Sequence, residues 1–241
     1  MSSRPRRDHP TTASIDNRLI AVLPRAGRTR LIAAGKLVRL VPAEVLCERS
    51  MRIRAVYFPV DGSIADVATA DGCAVMGVRL VGNEGMCGVA LALGVDTSTT
   101  RTVVQGEGSA LRVGAAAFRR ELQRNPTLRR VLNRYAFVLL AQIAQTAGCI
   151  GLHVVEQRLA RWLLMSHDRA HTDTFSVTHL FLAAMLGVRR AGVTQAAGAL
   201  QRRHLIRYTR GRVHIVSRRG LEAAACRCYR TDRETWQRLL G

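Results

Sequence analysis

Residues 182–216 read LAAMLGVRRAGVTQAAGALQRRHLIRYTRGRVHIV, and their order of parts decides the fold of the second half of the chain. Thr178 can cap a first helix that ends at Leu186. Gly187 then suits the left-handed turn that follows a helix end. After a second helix, alternating apolar residues around Gly211 predict a β-hairpin. The order of helix, turn, helix and hairpin predicts a winged helix-turn-helix.

The second helix of this stretch has an apolar inner side and a basic, polar outer side. With Val188 and Val193 turned inward, its first turns present side chains that can enter a DNA major groove, where Arg pairs with guanine and Gln with adenine. The basic residues at its end and at the hairpin tip lie in reach of phosphates. The predicted contacts with double-stranded DNA are Arg189, Arg190, Thr194, Gln195, Arg202, Arg203, Arg210 and Arg212.

The charge of the chain also favours a polyanionic partner. The formal net charge is +20, and Lys36 is the only lysine among 37 basic residues. Charge alone does not fix a site, because an arginine-rich codon usage scatters the same charge without function. Two further readings therefore stay open, a nucleic-acid binder without sequence preference and an enzyme or small-molecule module whose winged helix contacts protein.

The remaining composition indicates a cytoplasmic protein. Residues 1–16 form a basic tail rich in Pro, Ser and Thr, which predicts disorder and no secretory signal. No uninterrupted apolar run approaches the roughly 20 residues of a membrane span, so no membrane partner is expected. The six cysteines are irregularly spaced, which favours reduced thiols.

Residues 17–120 read as a β-structure. Short apolar runs such as KLVRLV, SIADVAT and AVMGVRLV recur about every ten residues between Gly, Pro and Asp, as in a sandwich or barrel of many short strands. The dipeptides Asp61-Gly62 and Asp71-Gly72 are typical of tight turns between such strands.

The period changes to that of a helix from Pro126 to near Gly148. Its apolar stripe is sustained over about three heptads, which predicts pairing with a second copy of the chain. The alternative is a helix that packs on its own barrel. The predicted dimer residues are Leu128, Val131, Leu132, Tyr135, Val138, Leu139 and Gln142.

No motif in the sequence predicts catalysis, a metal or a cofactor. His167 and His171 have the spacing of two metal ligands but lack the glutamate of a metallohydrolase, and they read as surface histidines. Cys226 and Cys228 are separated by one residue, which fits neither zinc-ribbon nor thioredoxin spacing. The chain contains no P-loop and no nucleophile elbow.

This order of parts resembles the Crp/Fnr family of transcription regulators over roughly residues 17–230. The resemblance is carried by VYFPVDGSIADV, by VGNEGMCGVALALGV and by the helix-turn-helix stretch. It implies an α+β fold: after the tail (1–16), a jelly-roll-like β-roll sensor (17–120), a dimerisation helix (121–150) and a winged helix-turn-helix (151–241). It also implies that Arg190 reads bases and that RNA polymerase is a further partner.

The same resemblance implies an effector pocket in the roll. Its candidate residues are Glu84, Gly85, Cys87, Gly88, Arg101 and Thr102. Gly85 and Gly88 are not followed by the carboxylate that a cyclic nucleotide needs, so we expect another small-molecule effector, of unknown identity. Cys87 is read as a small core residue, with a redox sensor as the alternative. Residues 1–46 contain no cysteine, which excludes an N-terminal iron–sulfur cluster. The roll contains no histidine that could serve as an axial ligand, so the sequence supports haem only weakly.

Overall fold

The computed structural model of the chain describes residues 15–70 and 74–241. The predicted tail lies outside the described residues except for its last two positions. The predicted turn at Asp71-Gly72 lies outside them as well.

The first half of the chain is the predicted β-roll. Its elements are α1 (Arg18–Ala21), α2 (Arg25–Ala33), β1 (Gly35–Leu40), β2 (Val45–Cys47), β3 (Ala55–Ala70), β4 (Ala74–Val81), a 3-10 helix (Val89–Leu93) and β5 (Arg101–Gly114). Among the described residues these strands form one antiparallel sheet in the order β1-β5-β3-β4, with β2 paired to β5 beside that path. Two long strands, β3 and β5, therefore carry the roll, where we predicted many short ones.

The predicted tight turn at Asp61-Gly62 is wrong. Both residues lie inside the continuous strand β3, where the pairing with β5 shifts register on either side of Asp61. Gly62 has φ +73°, and a Cβ atom there would lie 2.5 Å from the Glu107 carbonyl oxygen. The glycine thus makes a β-bulge that bends the strand, and a bulge uses the same residue types as a turn.

A long helix follows the roll. α3 (Ala115–Arg124) leads into α4 (Pro126–Leu152), which starts at the predicted proline and ends a turn beyond Gly148. The Asn125 side chain accepts a hydrogen bond from Leu128 N at 3.1 Å and caps α4. By length and composition alone α4 could cross a membrane, which the sequence runs did not predict. One apolar face of α4 is buried against the roll.

The residues that we predicted to pair two copies lie mainly against the chain's own roll. Leu128, Leu132, Tyr135, Val138 and Leu139 are all buried in one core with Phe58 of the roll and Phe118 of α3. Val131 and Gln142 are partly buried. This corrects the assignment of the five buried residues, since a buried side chain cannot meet a second copy, whereas Val131 and Gln142 stay predictions. The stripe marks the helix face that covers the roll, as in the alternative stated above.

The second half contains the predicted helices and hairpin. Its elements are α5 (Val155–Ala170), β6 (Thr174–Ser176), α6 (His179–Leu186), α7 (Arg190–Arg202), β7 (Ile206–Thr209), β8 (Arg212–Ile215), α8 (Arg218–Ala224) and α9 (Cys228–Leu240). α5, α6, α7 and α8 share a core with Val67 and Leu80 of the roll, so this half docks on the sheet. α9 instead returns to α4, and Trp236 Nε1 donates to the Glu84 carbonyl at 3.0 Å.

Candidate nucleic-acid interface and ligand cavity

The turn between α6 and α7 has the predicted geometry. Thr178 Oγ1 accepts a hydrogen bond from Phe181 N at 3.1 Å, which caps α6. Gly187 has φ +61°, a conformation that glycine adopts without strain. Val193 is fully buried and fixes the inner side of α7. These contacts set the rotation of α7 about its axis.

That rotation exposes the predicted base-reading residues. Arg189, Arg190, Thr194 and Gln195 are all exposed. The Thr194 hydroxyl lies 3.1 Å from the Arg190 carbonyl oxygen and 3.0 Å from His179 Nδ1. This hydroxyl therefore already has hydrogen-bond partners within the chain. Arg190 and Gln195 extend from the same face and are chemically able to pair with guanine and adenine edges.

His179 is a member of this surface that sequence reasoning missed. Its ring lies 4.5 Å from the ring of Tyr208, centroid to centroid, and links α6 to the hairpin. Burial and the nearby Arg190 lower the pKa of His179, so the imidazole is neutral at neutral pH. A neutral ring at this position holds Thr194 without adding charge to the surface.

The hairpin β7–β8 is the predicted wing. Thr209 pairs with Arg212, and the two loop residues Arg210 and Gly211 have φ +48° and +77°, as a type I′ turn requires. Val177 N donates to the Gly211 carbonyl at 2.8 Å, which anchors the tip beside α6. Arg210 and Arg212 are exposed at that tip.

The two ends of α7 differ in what they offer an anion. Arg189 precedes the helix with no side-chain cap, which leaves first-turn amides open to an anion. At the other end Arg202 and Arg203 are exposed. Arg203 Nη1 lies 2.6 Å from Glu156 Oε1, so its charge is already paired. Of the two predicted phosphate contacts, Arg203 is therefore the weaker candidate.

A cavity of about 250 Å³ lies between the roll and α4. Its lining includes Asp66 and Arg79 of the sheet and Leu140 of α4. Arg79 and Asp66 form a buried ion pair with the Nε–Oδ2 distance at 2.9 Å, and Thr102 Oγ1 donates to Asp66 Oδ1 at 2.7 Å. Burial opposes the charge on Arg79, but Asp66 outweighs it and the pKa of Arg79 is raised. The cation is thus neutralised before any ligand enters.

Half of the predicted pocket residues reach this cavity. Cys87, Gly88 and Thr102 line it. Burial raises the pKa of the Cys87 thiol, which favours the core reading over a reactive thiolate.

The other three predicted pocket residues do not line this cavity, which corrects that part of the pocket prediction. Glu84 pairs with Arg169 of α5 at 2.5 Å, and Arg101 pairs with Glu48 on the surface at 3.3 Å. Gly85 lies so close to the Tyr135 hydroxyl that a Cβ atom would overlap it. These partners come from distant parts of the chain, so sequence spacing could not show them.

The candidate histidines do not converge. His167 Nε2 lies 2.7 Å from Asp173 Oδ1, and its side chain is largely buried. His171 ends α5 in the left-handed conformation with φ +52°. The structure instead brings Cys226 and Cys228 to Cys149 and His153 of α4, a grouping that the sequence spacing did not predict.

Comparison with protein families finds a match within the second half of the chain. Residues 157–224 match the Crp-like helix-turn-helix domain. Comparison with curated proteins gave no match.

Several solved structures share the fold of most of this chain. The c-di-GMP responsive global regulator CLP of Xanthomonas campestris has a TM-score of 0.66 and 14% identity, covering 80% of this chain and 100% of that chain. FixK2 from Bradyrhizobium japonicum has a TM-score of 0.68 and 13% identity, covering 80% of this chain and 98% of that chain. A CRP-family regulator from Thermus thermophilus has a TM-score of 0.64 and 19% identity, covering 78% and 96%. The chain therefore combines a Crp-like helix-turn-helix domain with the fold of the Crp/Fnr transcription regulators.

Proposed function

We propose that the protein is a cytoplasmic, homodimeric transcription regulator that binds a two-fold symmetric DNA site with sequence preference. The observation that carries the proposal is the outward face of α7, where Arg190 and Gln195 are exposed above a fully buried Val193. Side chains of these types read base edges in the major groove. The neighbouring wing arginines supply phosphate contacts that are independent of sequence.

A second apolar face of α4 supports pairing of two copies. Phe137 and Leu140 are 59% and 65% exposed, and Ala144, Ala147 and Gly151 continue the same three-four spacing along the helix. Small residues at the later positions let two helices approach closely. This face, rather than the buried one, is the proposed dimer interface, and two recognition helices would then enter successive major grooves about 34 Å apart.

The cavity beside α4 is the proposed effector site. Leu140 and Ile143 line it and also lie on the exposed face of α4, so a ligand there would touch the dimer interface. Hydroxyls from Ser98 and Thr102 offer hydrogen bonds among mostly apolar walls. Because Arg79 is already paired with Asp66, the site favours a small, largely apolar effector over a cyclic phosphate.

The proposal is tested by selecting DNA from random fragments with the purified protein and titrating the product at several salt concentrations. We expect enrichment of a two-fold symmetric site that is bound at least about 10³-fold more tightly than random DNA. A flat competition profile would favour the alternative, a nucleic-acid binder without sequence preference, which the net charge of +20 also permits. The absence of any DNA binding at moderate salt would contradict both.

Arg190→Ala is expected to relax base preference at one position of each half-site and to cost about 1–3 kcal/mol on the selected DNA. The reason is the loss of a bidentate contact to one base while the phosphate contacts remain. Competition titrations with single-base variants of the site measure this effect. Equal weakening on every sequence would assign Arg190 to phosphate instead.

Arg212→Ala is expected to weaken binding almost equally on all sequences. The wing-tip guanidinium is placed to neutralise one phosphate, so the slope of log K against log salt should fall by about 1. Titrations of wild type and variant over a salt series give both slopes. An unchanged slope would show that the wing tip does not reach the DNA backbone.

A further inference from the structure

Four side chains with metal-binding atoms meet where α4 ends. Cys149 and His153 come from the last turn and the C-cap of α4, and Cys226 and Cys228 flank the start of α9. Their ligand atoms all lie within 4.8 Å of one another. The three cysteines are at most 5% exposed and form a separate buried cluster.

We propose that Cys149, His153, Cys226 and Cys228 bind a single Zn²⁺ ion in tetrahedral coordination. Three cysteines and one histidine are a donor set that proteins use for structural zinc. The proposal adds a metal site to the regulator and does not depend on its binding DNA.

The distances suit one ion. Zn–S bonds of about 2.3 Å and Zn–N bonds of about 2.0–2.1 Å place tetrahedral ligands about 3.5–3.8 Å apart. The Cys149 and Cys226 Sγ atoms are 3.5 Å apart, and Cys228 Sγ lies 3.7 Å from His153 Nδ1. A multi-iron cluster would place irons and sulfides between the thiolates and hold them further apart. The geometry thus favours a mononuclear site.

The surroundings stabilise negative charge on sulfur. Gln145 Nε2 donates to Cys228 Sγ at 3.0 Å. The Arg161 guanidinium borders the same cavity as Cys149, so a positive charge lies on the Cys149 side of the cluster. Arg161 is itself held by Asp232 Oδ2 at 2.6 Å. Zinc would release the protons of the thiols that are still protonated.

The site lies at a junction. His153 and Val154 connect α4 to α5, and Ala225 to Arg227 connect α8, which belongs to the helix-turn-helix core, to α9, which packs on α4. An ion held by both connections fixes α4 relative to the helix-turn-helix body. If the proposed function holds, metal loss should also weaken DNA binding.

The test measures metal on the reduced full-length protein, with no DNA present. We expect one Zn²⁺ per chain by elemental analysis. Co²⁺ in its place should give the intense visible bands of tetrahedral cobalt and ultraviolet thiolate-to-cobalt charge transfer. Cys228→Ser and His153→Ala should weaken metal binding by at least about 100-fold, and Gln145→Ala by about 10-fold.

Cys47→Ser is the matched control, because Cys47 lies in β2, outside the cluster of four side chains, and the variant should keep the full metal content. Circular dichroism shows whether each variant folds, and the wild-type measurement stands without any variant. Failure of the reduced wild type to bind Zn²⁺ or Co²⁺ overturns the proposal. A Cys149–Cys226 disulfide in metal-free native protein, or an iron–sulfur spectrum, overturns it as well.

Discussion

Asp66→Ala is expected to lower the free energy of unfolding by about 3–5 kcal/mol. Asp66 and Arg79 have side chains only 11% and 9% exposed and lie on neighbouring strands of the roll. Removing the carboxylate leaves a guanidinium buried without its counter-charge, and it also removes the acceptor of the Thr102 hydroxyl. Denaturant unfolding of both proteins measures the difference.

Two further variants separate this effect from simple loss of a contact. The double variant Asp66→Ala with Arg79→Met should recover much of the loss, because neither charge then stays buried. Glu107→Ala breaks an ion pair with Arg39 on the same sheet, but both side chains are more than half exposed, so it should cost at most about 1 kcal/mol. If Asp66→Ala cost less than about 1 kcal/mol, as an exposed pair does, water in the cavity would have to solvate Arg79.

The helix-turn-helix could be predicted because its determinants are close together in the chain. The Thr178 cap, the left-handed Gly187 and the two-residue wing turn at Arg210-Gly211 each depend on a few neighbouring residues. The inner and outer sides of α7 follow from the position of Val193. Local chemistry therefore identified the candidate DNA contacts. The pairing of Arg203 with Glu156 and the contact of Thr194 with His179 required the tertiary structure.

The long helix shows where sequence periodicity stops being informative. α4 has two apolar faces, one that includes Leu132 and Val138 and another that includes Phe137 and Leu140. A helical period identifies both but cannot say which one covers the roll, because that depends on where distant strands lie. The roll strands pose the same problem, since Asp61-Gly62 suits a turn and a bulge equally.

The proposed metal ligands are a third feature that the sequence alone did not predict. Cys149 and His153 are one turn apart on α4, a spacing that the sequence shows directly. Their partners Cys226 and Cys228 lie more than 70 residues later, and only the return of α9 to α4 brings the two pairs together. Spacing rules for compact motifs do not capture a site that is built from two distant segments.

Leu140→Glu is expected to convert the dimer to a monomer and to weaken binding to the symmetric site by about 100-fold or more. Leu140 is 65% exposed within the proposed interface, so two copies of the variant would bring two buried carboxylates together. The monomer loses little, because the side chain leaves its own core untouched. A monomer binds one half-site and forfeits the effective concentration that the second half-site provides.

Met51→Glu provides the control, since Met51 is an apolar side chain of the roll that is 55% exposed and does not belong to α4. It should change neither mass nor DNA affinity. Sedimentation equilibrium gives the mass of each variant, and titration on the selected site gives its affinity. A Leu140→Glu protein that stays dimeric would place the interface elsewhere, whereas a monomer with unchanged affinity would show that one recognition helix is sufficient.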